Sequence, residues 1–121
     1  MTRNRETGEL VEALAQVLAL CEHLTAPGQG AYLAEDLDAG LRRLAGERLV
    51  ITLQAVLDDL PASFVEDNPD LPFDLVPGMR HRLAHGYDDI DDIDDRIVWN
   101  TLSGSLPVFI REVARRLTAG G

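Results

Sequence analysis

Apolar residues recur every three or four positions along almost the whole chain, a spacing typical of helices that bury one face. In the first segment the pattern is set by Leu10, Leu14, Val17, Cys21 and Leu24. Acidic residues lie near the start of this segment, where the positive end of a helix dipole stabilises them, and the run Pro27-Gly28-Gln29-Gly30 ends it. We therefore predict a first helix that ends before Pro27.

A second helix is predicted from about residue 36 to residue 60. Its periodicity is supplied by Leu37, Leu41, Leu44, Arg48, Leu49, Thr52 and Val56. The run 49–52 is compatible with a strand, but the length and the flanks of the segment favour a helix. Pro61 either ends this helix or kinks it before a further turn over residues 62–65. Residues 66–72, with two prolines, are predicted to be a loop.

A third, shorter helix is predicted over about residues 73–87. Asp74 lies near its start, and Pro77 is tolerated only in the first turn, so the helix before Arg80 is expected to be short. Six aspartates follow within residues 88–95. We interpret this acidic segment as a solvated loop, as a contact surface for a basic partner, or as a screen that repels RNA.

The last helical pattern covers residues 96–117, and Gly104 and Pro107 are expected to divide it into two pieces. No strand-rich region occurs in the sequence. Helices with short connections pack as antiparallel neighbours. We therefore predict an all-α fold, an up-and-down bundle of four to five antiparallel helices that forms one domain over residues 1–121.

Charge and composition limit the function. The chain carries 11 basic and 21 acidic side chains, a formal net charge of −10, which argues against a passive nucleic-acid coat. Outside the acidic segment, however, the last third of the chain is net basic, so a local anion site is compatible with it. The single cysteine excludes an internal disulfide and a cysteine-based zinc site. No apolar stretch reaches the length of a bilayer span and no signal-peptide pattern occurs, so we expect a soluble, cytoplasmic protein that does not bind membranes.

The densest polar cluster is the run Arg80-His81-Arg82-Leu83-Ala84-His85-Gly86-Tyr87. A solvated helix face is the ordinary interpretation of any one of these residues, but not of the whole set. His81 and His85 share a helix face, whereas Arg80 and His85 are about 140° apart around an ideal helix. One straight helix does not direct both side chains at the same small ligand, although their length partly closes the gap. A second subunit, packed around a two-fold axis, could complete such a site.

This cluster resembles the motif of the HepT-like toxins of the HEPN superfamily. That family carries an Arg, a polar residue, about three variable positions, a His, one variable position and a Tyr, as residues 80–87 do here. The likeness continues in Ile97-Val98-Trp99, in Leu106-Pro107 and in the helix order over nearly the whole chain. The combination of these features makes the resemblance specific.

The resemblance implies a metal-independent endoribonuclease that needs no cofactor, acts as a homodimer with its site at the interface, and is neutralised by a nucleotidyltransferase antitoxin. Carried over residue by residue, it makes Arg80 and His85 the catalytic pair. His81 fits the polar position after the arginine, in a supporting role. Tyr87 matches the tyrosine that the antitoxin modifies with adenylyl groups.

The residue chemistry is consistent with this implication. RNA carries its own nucleophile, the 2′-hydroxyl, so an enzyme need only position and polarise the reacting groups. Arg80 could fork onto phosphate oxygens, and His85, a side chain that titrates near neutral pH, could move a proton. A place near a helix C-terminus, with Gly86 as a cap, favours the protonated imidazole, but the direction of proton transfer stays open. DNA, which lacks the 2′-hydroxyl, is not expected to be cut.

A second hypothesis is a non-catalytic HEPN partner that docks a nucleotidyltransferase and contributes a nucleotide-binding helix. The acidic segment favours this hypothesis, and the intact Arg, His and Tyr set favours the first. Arg82, Arg111 and Arg115 are weaker candidates for substrate binding. On the last helix, Arg111, Arg115 and Arg116 are either dipole-complementing surface charges, which we favour, or a basic track for the RNA backbone.

The remaining chemically active side chains have plainer interpretations. His81 and His85 have the spacing of two zinc ligands, but no third ligand is evident, so no metal is expected. A packing or surface role is predicted for Cys21 and His23. Trp99 and Phe109 are predicted to be core or interface anchors.

Overall fold

The computed structural model describes residues 6–88 and 95–120, with residues 82 and 84–88 described by their backbone alone. This part of the chain holds seven α-helices, one π-helical turn and no strand. The helices are α1 (Thr7–Thr25), α2 (Gln29–Leu33), α3 (Leu37–Asp58), α4 (Ala62–Asp67), α5 (Leu75–Asp88), α6 (Asp95–Asn100) and α7 (Leu106–Gly120), and the π turn (Thr101–Ser105) joins the last two. The predicted all-α bundle is confirmed. None of the helices described is long and apolar enough to cross a bilayer.

The four long helices α1, α3, α5 and α7 make up the bundle. α1 packs against both α7 and α3, and α3 packs against α5. Their ends follow local sequence: Glu6 and Glu9 form a reciprocal capping box at the start of α1, and the Asp36 carboxylate accepts a 2.8 Å hydrogen bond from the Ala39 backbone at the start of α3. Pro61 ends the second predicted helix, and a separate short helix, α4, follows it.

α2 is a helix that the sequence pattern did not predict. Two arginines of α3 hold its last carbonyls: Arg43 donates to the Tyr32 and Ala34 oxygens at 2.8 Å, and Arg42 donates to the Ala31 oxygen at 3.3 Å. The helix buries Tyr32, whose ring lies 5.4 Å from that of Trp99. These partners are distant in sequence, so a local pattern does not contain the signal for α2.

The predicted division of the last helix at Gly104 and Pro107 is a π turn rather than a gap. In a π turn the backbone hydrogen bonds join residues five apart, so the regular α-helical hydrogen bonds are interrupted there. The Leu102 carbonyl within it accepts a hydrogen bond from the buried Cys21 thiol, with 2.9 Å between sulfur and oxygen. Burial, with a smaller contribution from Glu22, raises the pKa of this thiol to about 11, so it stays a neutral donor. The predicted packing role of Cys21 is confirmed.

One hydrophobic cluster connects the long helices. Its fully buried members include Leu10, Leu14, Val17, Val50, Leu53, Val76, Leu102, Leu106, Ile110 and Val113. Phe109 is buried edge-on against Phe73, at 5.7 Å between ring centroids, and Trp99 is half-buried against Tyr32. Both aromatic residues are therefore the packing anchors that the sequence predicted.

α3 carries apolar residues on two opposite faces. The face toward the core consists of Ala39, Gly46, Leu49, Val50, Leu53, Val56 and Leu57. Leu37, Leu41 and Leu44, which supplied much of the predicted periodicity, are instead 88%, 64% and 58% exposed. The helix is confirmed, but the pattern used to predict it mixed two faces. A helical period is the same whichever face carries it, so spacing alone does not tell the inner face from the outer.

Candidate functional site

α5 carries the whole cluster from Arg80 to Tyr87 on one continuous helix. The Gly78 backbone N–H donates to the Asp74 carbonyl at 3.0 Å, which places Asp74 at the entrance of the helix as predicted. Pro77 is the third residue of the helix, where its missing N–H costs no intrahelical bond. Only five residues of α5 precede Arg80, so this part of the helix is short, as expected.

α5 buries a single face in the hydrophobic core. Val76, Met79 and Leu83, spaced three and four residues apart, are buried along it, whereas Arg80 and His81 are exposed. On a regular helix, position 85 lies roughly 150° around the axis from the middle of this buried line, and position 80 lies roughly 70° from it. The positions of the proposed catalytic pair are therefore outside the buried face of α5.

Gly86 does not have the capping role that the sequence suggested. α5 continues through Gly86 to Asp88, the last residue described before position 95.

Arg80 differs from the arginines of α7 in its electrostatic surroundings. Within the part of the chain that the structure describes, it forms no ion pair with a carboxylate. Its exposed guanidinium is therefore not neutralised there, and it remains available to an anionic ligand.

All three arginines of α7 form ion pairs with carboxylates. Arg111 pairs with Glu22 of α1, Arg115 donates to Glu112 at 3.0 Å, and Arg116 donates to both oxygens of Asp70 at 2.7 and 2.8 Å. Hydrogen bonds from Arg115 and Arg116 lower the pKa of Glu112 to about 2, so this partner stays ionised at neutral pH. These pairs favour surface charges with a structural role over a basic track.

The weaker substrate-binding candidates are thus not brought together. Arg111 and Arg115 line a groove between α1 and α7, whereas α5 packs on α3. Arg82 lies on α5, but its side chain is outside the described residues. His81 is exposed beside Arg80, and the only histidine outside the cluster, His23, is exposed on α1.

One surface was not singled out from the sequence. Six residues on the outside of α3 form it, and we call them the α3 outer stripe: Leu37, Leu41, Leu44, Arg48, Ile51 and Ala55. Their separations alternate between four and three residues, the spacing of a helix that pairs with another helix. This spacing was visible in the sequence, but it was indistinguishable from a core-facing pattern.

Comparisons of the sequence with known proteins point to one family. The profile of the HepT-like family, described as "Ribonuclease HepT-like", matches residues 14–116. A protein of Caldanaerobacter subterraneus subsp. tengcongensis named "Putative RNase TTE0752" is 30% identical over 101 residues, which are 83% of this chain and 87% of that protein. No solved structure matches the chain.

An all-helical bundle that matches this profile belongs to a class of small helical ribonucleases. The matched range covers most of the chain and contains all of α3 and α5. The chain belongs to the HepT-like ribonuclease family, and the resemblance seen in residues 78–87 is confirmed.

Proposed function

We propose that the protein is a metal-independent endoribonuclease toxin that cuts RNA with Arg80 and His85 at a homodimer interface, with His81 in support. The observation that carries the proposal is the arrangement of residues on α5. The helix carries every residue of the family motif, and the face that it buries in the core is not the face that carries positions 80 and 85. Membership of a ribonuclease family supports RNA as the substrate.

The proposed reaction uses the substrate's own hydroxyl. The 2′-oxygen attacks the adjacent phosphorus, the bond from phosphorus to the 5′-oxygen breaks, and the products end in a 2′,3′-cyclic phosphate and a 5′-hydroxyl. Arg80 stabilises the negative charge that grows on the non-bridging oxygens. His85 either accepts the proton of the 2′-hydroxyl, with solvent water protonating the leaving 5′-oxygen, or donates a proton to the 5′-oxygen, with solvent water accepting the one from the 2′-hydroxyl.

We propose that two subunits assemble this pair. Because positions 80 and 85 are about 140° apart on α5, one helix presents the two side chains in different directions. A two-fold axis brings the same helix of a second subunit to the site, so that Arg80 of one subunit and His85 of the other can act on one phosphate.

The proposal is tested by incubating the purified protein with single-stranded RNA in excess EDTA. We expect cleavage, with 2′,3′-cyclic phosphate ends, because the 2′-hydroxyl is the nucleophile and no metal takes part. An otherwise identical oligonucleotide with a single 2′-deoxy nucleotide at the cut position is expected to resist cleavage there. Cleavage that needs added Mg²⁺, or equal cleavage of DNA, contradicts the mechanism.

We also propose that a nucleotidyltransferase antitoxin neutralises the toxin by adenylylating Tyr87. Tyr87 lies two residues beyond His85 on α5, and an adenylyl group there adds bulk and negative charge beside the place where the RNA phosphate binds. Co-expression with a cognate nucleotidyltransferase is expected to add adenylyl mass to the Tyr87 peptide and to abolish RNA cleavage. Tyr32, the other tyrosine, is buried and serves as the internal control. An unmodified Tyr87 peptide in inactivated protein argues against this chemistry.

The alternative function is a non-catalytic HEPN partner of a nucleotidyltransferase. The six aspartates of the acidic segment favour it, because they follow the motif directly and repel RNA. Asp88 ends α5, and Asp95 begins α6 with its carboxylate 3.8 Å from Arg43, whereas residues 89–94 lie outside the described residues. Intact RNA in the EDTA experiment, together with stable binding of the nucleotidyltransferase, supports this alternative.

A further inference from the structure

The side-chain amide of Gln54 is a polar group on α3 that the packing of the fold does not satisfy. Its nitrogen donates a 2.8 Å hydrogen bond to the carboxylate of Asp58, an exposed residue one turn further along the helix. Its oxygen, Oε1, is the single buried side-chain nitrogen or oxygen atom of the described residues that has no hydrogen-bond partner. A buried acceptor without a donor is destabilising, so its presence in a folded protein calls for a physical reason.

Asp58 fixes the direction of this amide. A carboxylate only accepts hydrogen bonds, so it binds the NH₂ group of Gln54 and turns the amide oxygen away. The nitrogen end of the amide therefore lies at the surface beside Asp58, and the oxygen end lies beneath it. Gln54 presents an acceptor, and not a donor, to the element that packs beside it.

Gln54 lies on the flank of α3 that faces α5. α3 packs against two long helices, α1 and α5. Ala45 and Thr52 of α3 line a groove together with residues of α1, so they mark the flank of α3 that faces α1. On a regular helix, position 54 lies roughly 160–180° around the axis from these two residues. The flank of Gln54 is therefore left for α5.

α3 and α5 run in opposite directions. The ring of Phe73, two residues before α5, lies 6.4 Å from that of Phe64, six residues after the end of α3. α5 therefore begins at the end of the bundle where α3 finishes. Gln54 is the fifth residue from the end of α3, and Arg80 is the sixth residue of α5. Antiparallel packing thus places these two positions at about the same height.

The Arg80 guanidinium has the chemistry that this oxygen needs. Side chains of a helix lean toward its N-terminus, so Arg80 leans toward the end of α3. The side chain of Gln54 leans the same way, because it reaches Asp58. A guanidinium carries five N–H donors in a planar fork, so it can bind a phosphate with one edge and an amide oxygen with another.

We propose that Gln54 positions Arg80 for catalysis, by accepting a hydrogen bond from its guanidinium when RNA is bound. The inference rests on the proposed function and adds a residue of α3 to the site. In the structure the Arg80 side chain is exposed, and the Gln54 oxygen has no partner among the described residues. Hydrogen bonds of a catalytic site often form only in the complex with substrate. This bond would satisfy the buried acceptor and direct the remaining N–H groups of Arg80 at the phosphate.

The positioning role is tested by Gln54→Met, which removes the acceptor and keeps an unbranched side chain. In the RNA cleavage assay with EDTA, kcat is expected to fall by about 10-fold with little change in KM, because the guanidinium loses its fixed direction. The urea midpoint is expected to equal or exceed that of the wild type, because an unsatisfied buried acceptor is lost. Gln16→Met, at an exposed position of α1, is the matched control and should keep the wild-type kcat.

A double-mutant cycle tests whether Gln54 acts through Arg80. In the Arg80→Ala background, Gln54→Met is expected to lower kcat by less than about 2-fold, because the partner of the amide oxygen is already absent. A loss in that background as large as the loss in the wild-type background would show that the two residues act independently. That result overturns the proposal.

A rescue variant exchanges the chemistry of the two α3 side chains. In Gln54→Glu with Asp58→Asn, the amide introduced at position 58 can donate to the carboxylate introduced at position 54. An acceptor oxygen directed at Arg80 is thereby kept. We expect this double variant to retain most of the wild-type kcat, and a loss as large as that of Gln54→Met contradicts the proposed hydrogen bond.

The outcomes separate the positioning role from the function. Wild-type cleavage that Gln54→Met leaves unchanged, or a loss of kcat that merely follows a lowered urea midpoint, overturns the role of Gln54 and keeps the proposed function. A wild-type protein that leaves RNA intact overturns the proposed function and the positioning role together, and the wild-type assay alone identifies this outcome. A lower kcat with undiminished stability, absent in the Arg80→Ala background, supports both.

Discussion

Arg80→Ala is expected to reduce RNA cleavage by about 10²- to 10³-fold without unfolding the protein, because it removes the group proposed to stabilise charge in the transition state. Arg80 is exposed and forms no ion pair with a carboxylate in the described chain, so its loss leaves no buried charge behind. His85→Ala is expected to cost about 10²- to 10⁴-fold, the usual contribution of a proton-transfer group. The double variant should be little worse than the singles, since the two residues act as a unit.

Matched controls for these variants lie elsewhere in the chain. His23→Ala removes an exposed histidine of α1, and Arg115→Ala removes an exposed arginine of α7 that pairs with Glu112. Both are expected to keep near wild-type cleavage rates in a fluorescence-quenched RNA assay. Loss of activity in Arg115→Ala would instead favour the basic track along α7.

Mixing the two inactive variants tests whether the site is shared between subunits. In a heterodimer of Arg80→Ala and His85→Ala chains, one of the two sites keeps an intact arginine from one subunit and an intact histidine from the other. Co-expressed heterodimers are expected to recover up to about half of the wild-type activity. Heterodimers without recovered activity would place both catalytic groups on the same subunit.

Gly46→Ala is expected to destabilise the protein by about 1–3 kcal/mol, because overpacking a dense core forces neighbouring side chains to move. A Cβ at this position of α3 would lie 3.0 Å from a methyl carbon of Leu102 and 3.2 Å from the Tyr32 hydroxyl oxygen. Both neighbours are fully buried, which limits how far they can shift.

Gly40→Ala is the control in the same helix. A Cβ at Gly40 has no other atom within 4 Å, so the substitution is expected to stabilise the protein by about 0.5–1 kcal/mol through helix propensity alone. Urea unfolding followed by circular dichroism measures both changes. Equal stability of the two variants would show that α3 does not approach Leu102 and Tyr32 as closely as described.

Local sequence patterns predicted most of the helices, because helix formation depends on residues three and four apart. α1 and α3 begin and end close to the predicted positions, and α5 runs from Leu75 to Asp88 against a predicted range of 73–87. The motif from Arg80 to Tyr87 was likewise recognisable before the fold was known. The roles of its side chains remain predictions, because the side-chain geometry of His85 and Tyr87 lies outside the described residues.

Contacts distant in sequence account for what the patterns missed. Arg42 and Arg43 of α3 donate hydrogen bonds to carbonyls of α2. The Cys21 thiol, 81 residues before Leu102, donates to the Leu102 carbonyl in the π turn. The arginines of α7 were open to two interpretations until the structure placed Glu22 and Asp70 beside them. No local pattern contains these partners.

The sequence by itself determined that the chain is helical, where its long helices lie, and which family motif it carries, because these properties follow from short-range spacing. Only the tertiary structure decided which face of α3 is inside. The apolar residues of both faces repeat with the same helical period. Which face of α3 is buried is decided by where α1 and α5 pack against it. The tertiary structure also showed that the motif helix is held by the line from Val76 to Leu83, with Arg80 and His81 exposed.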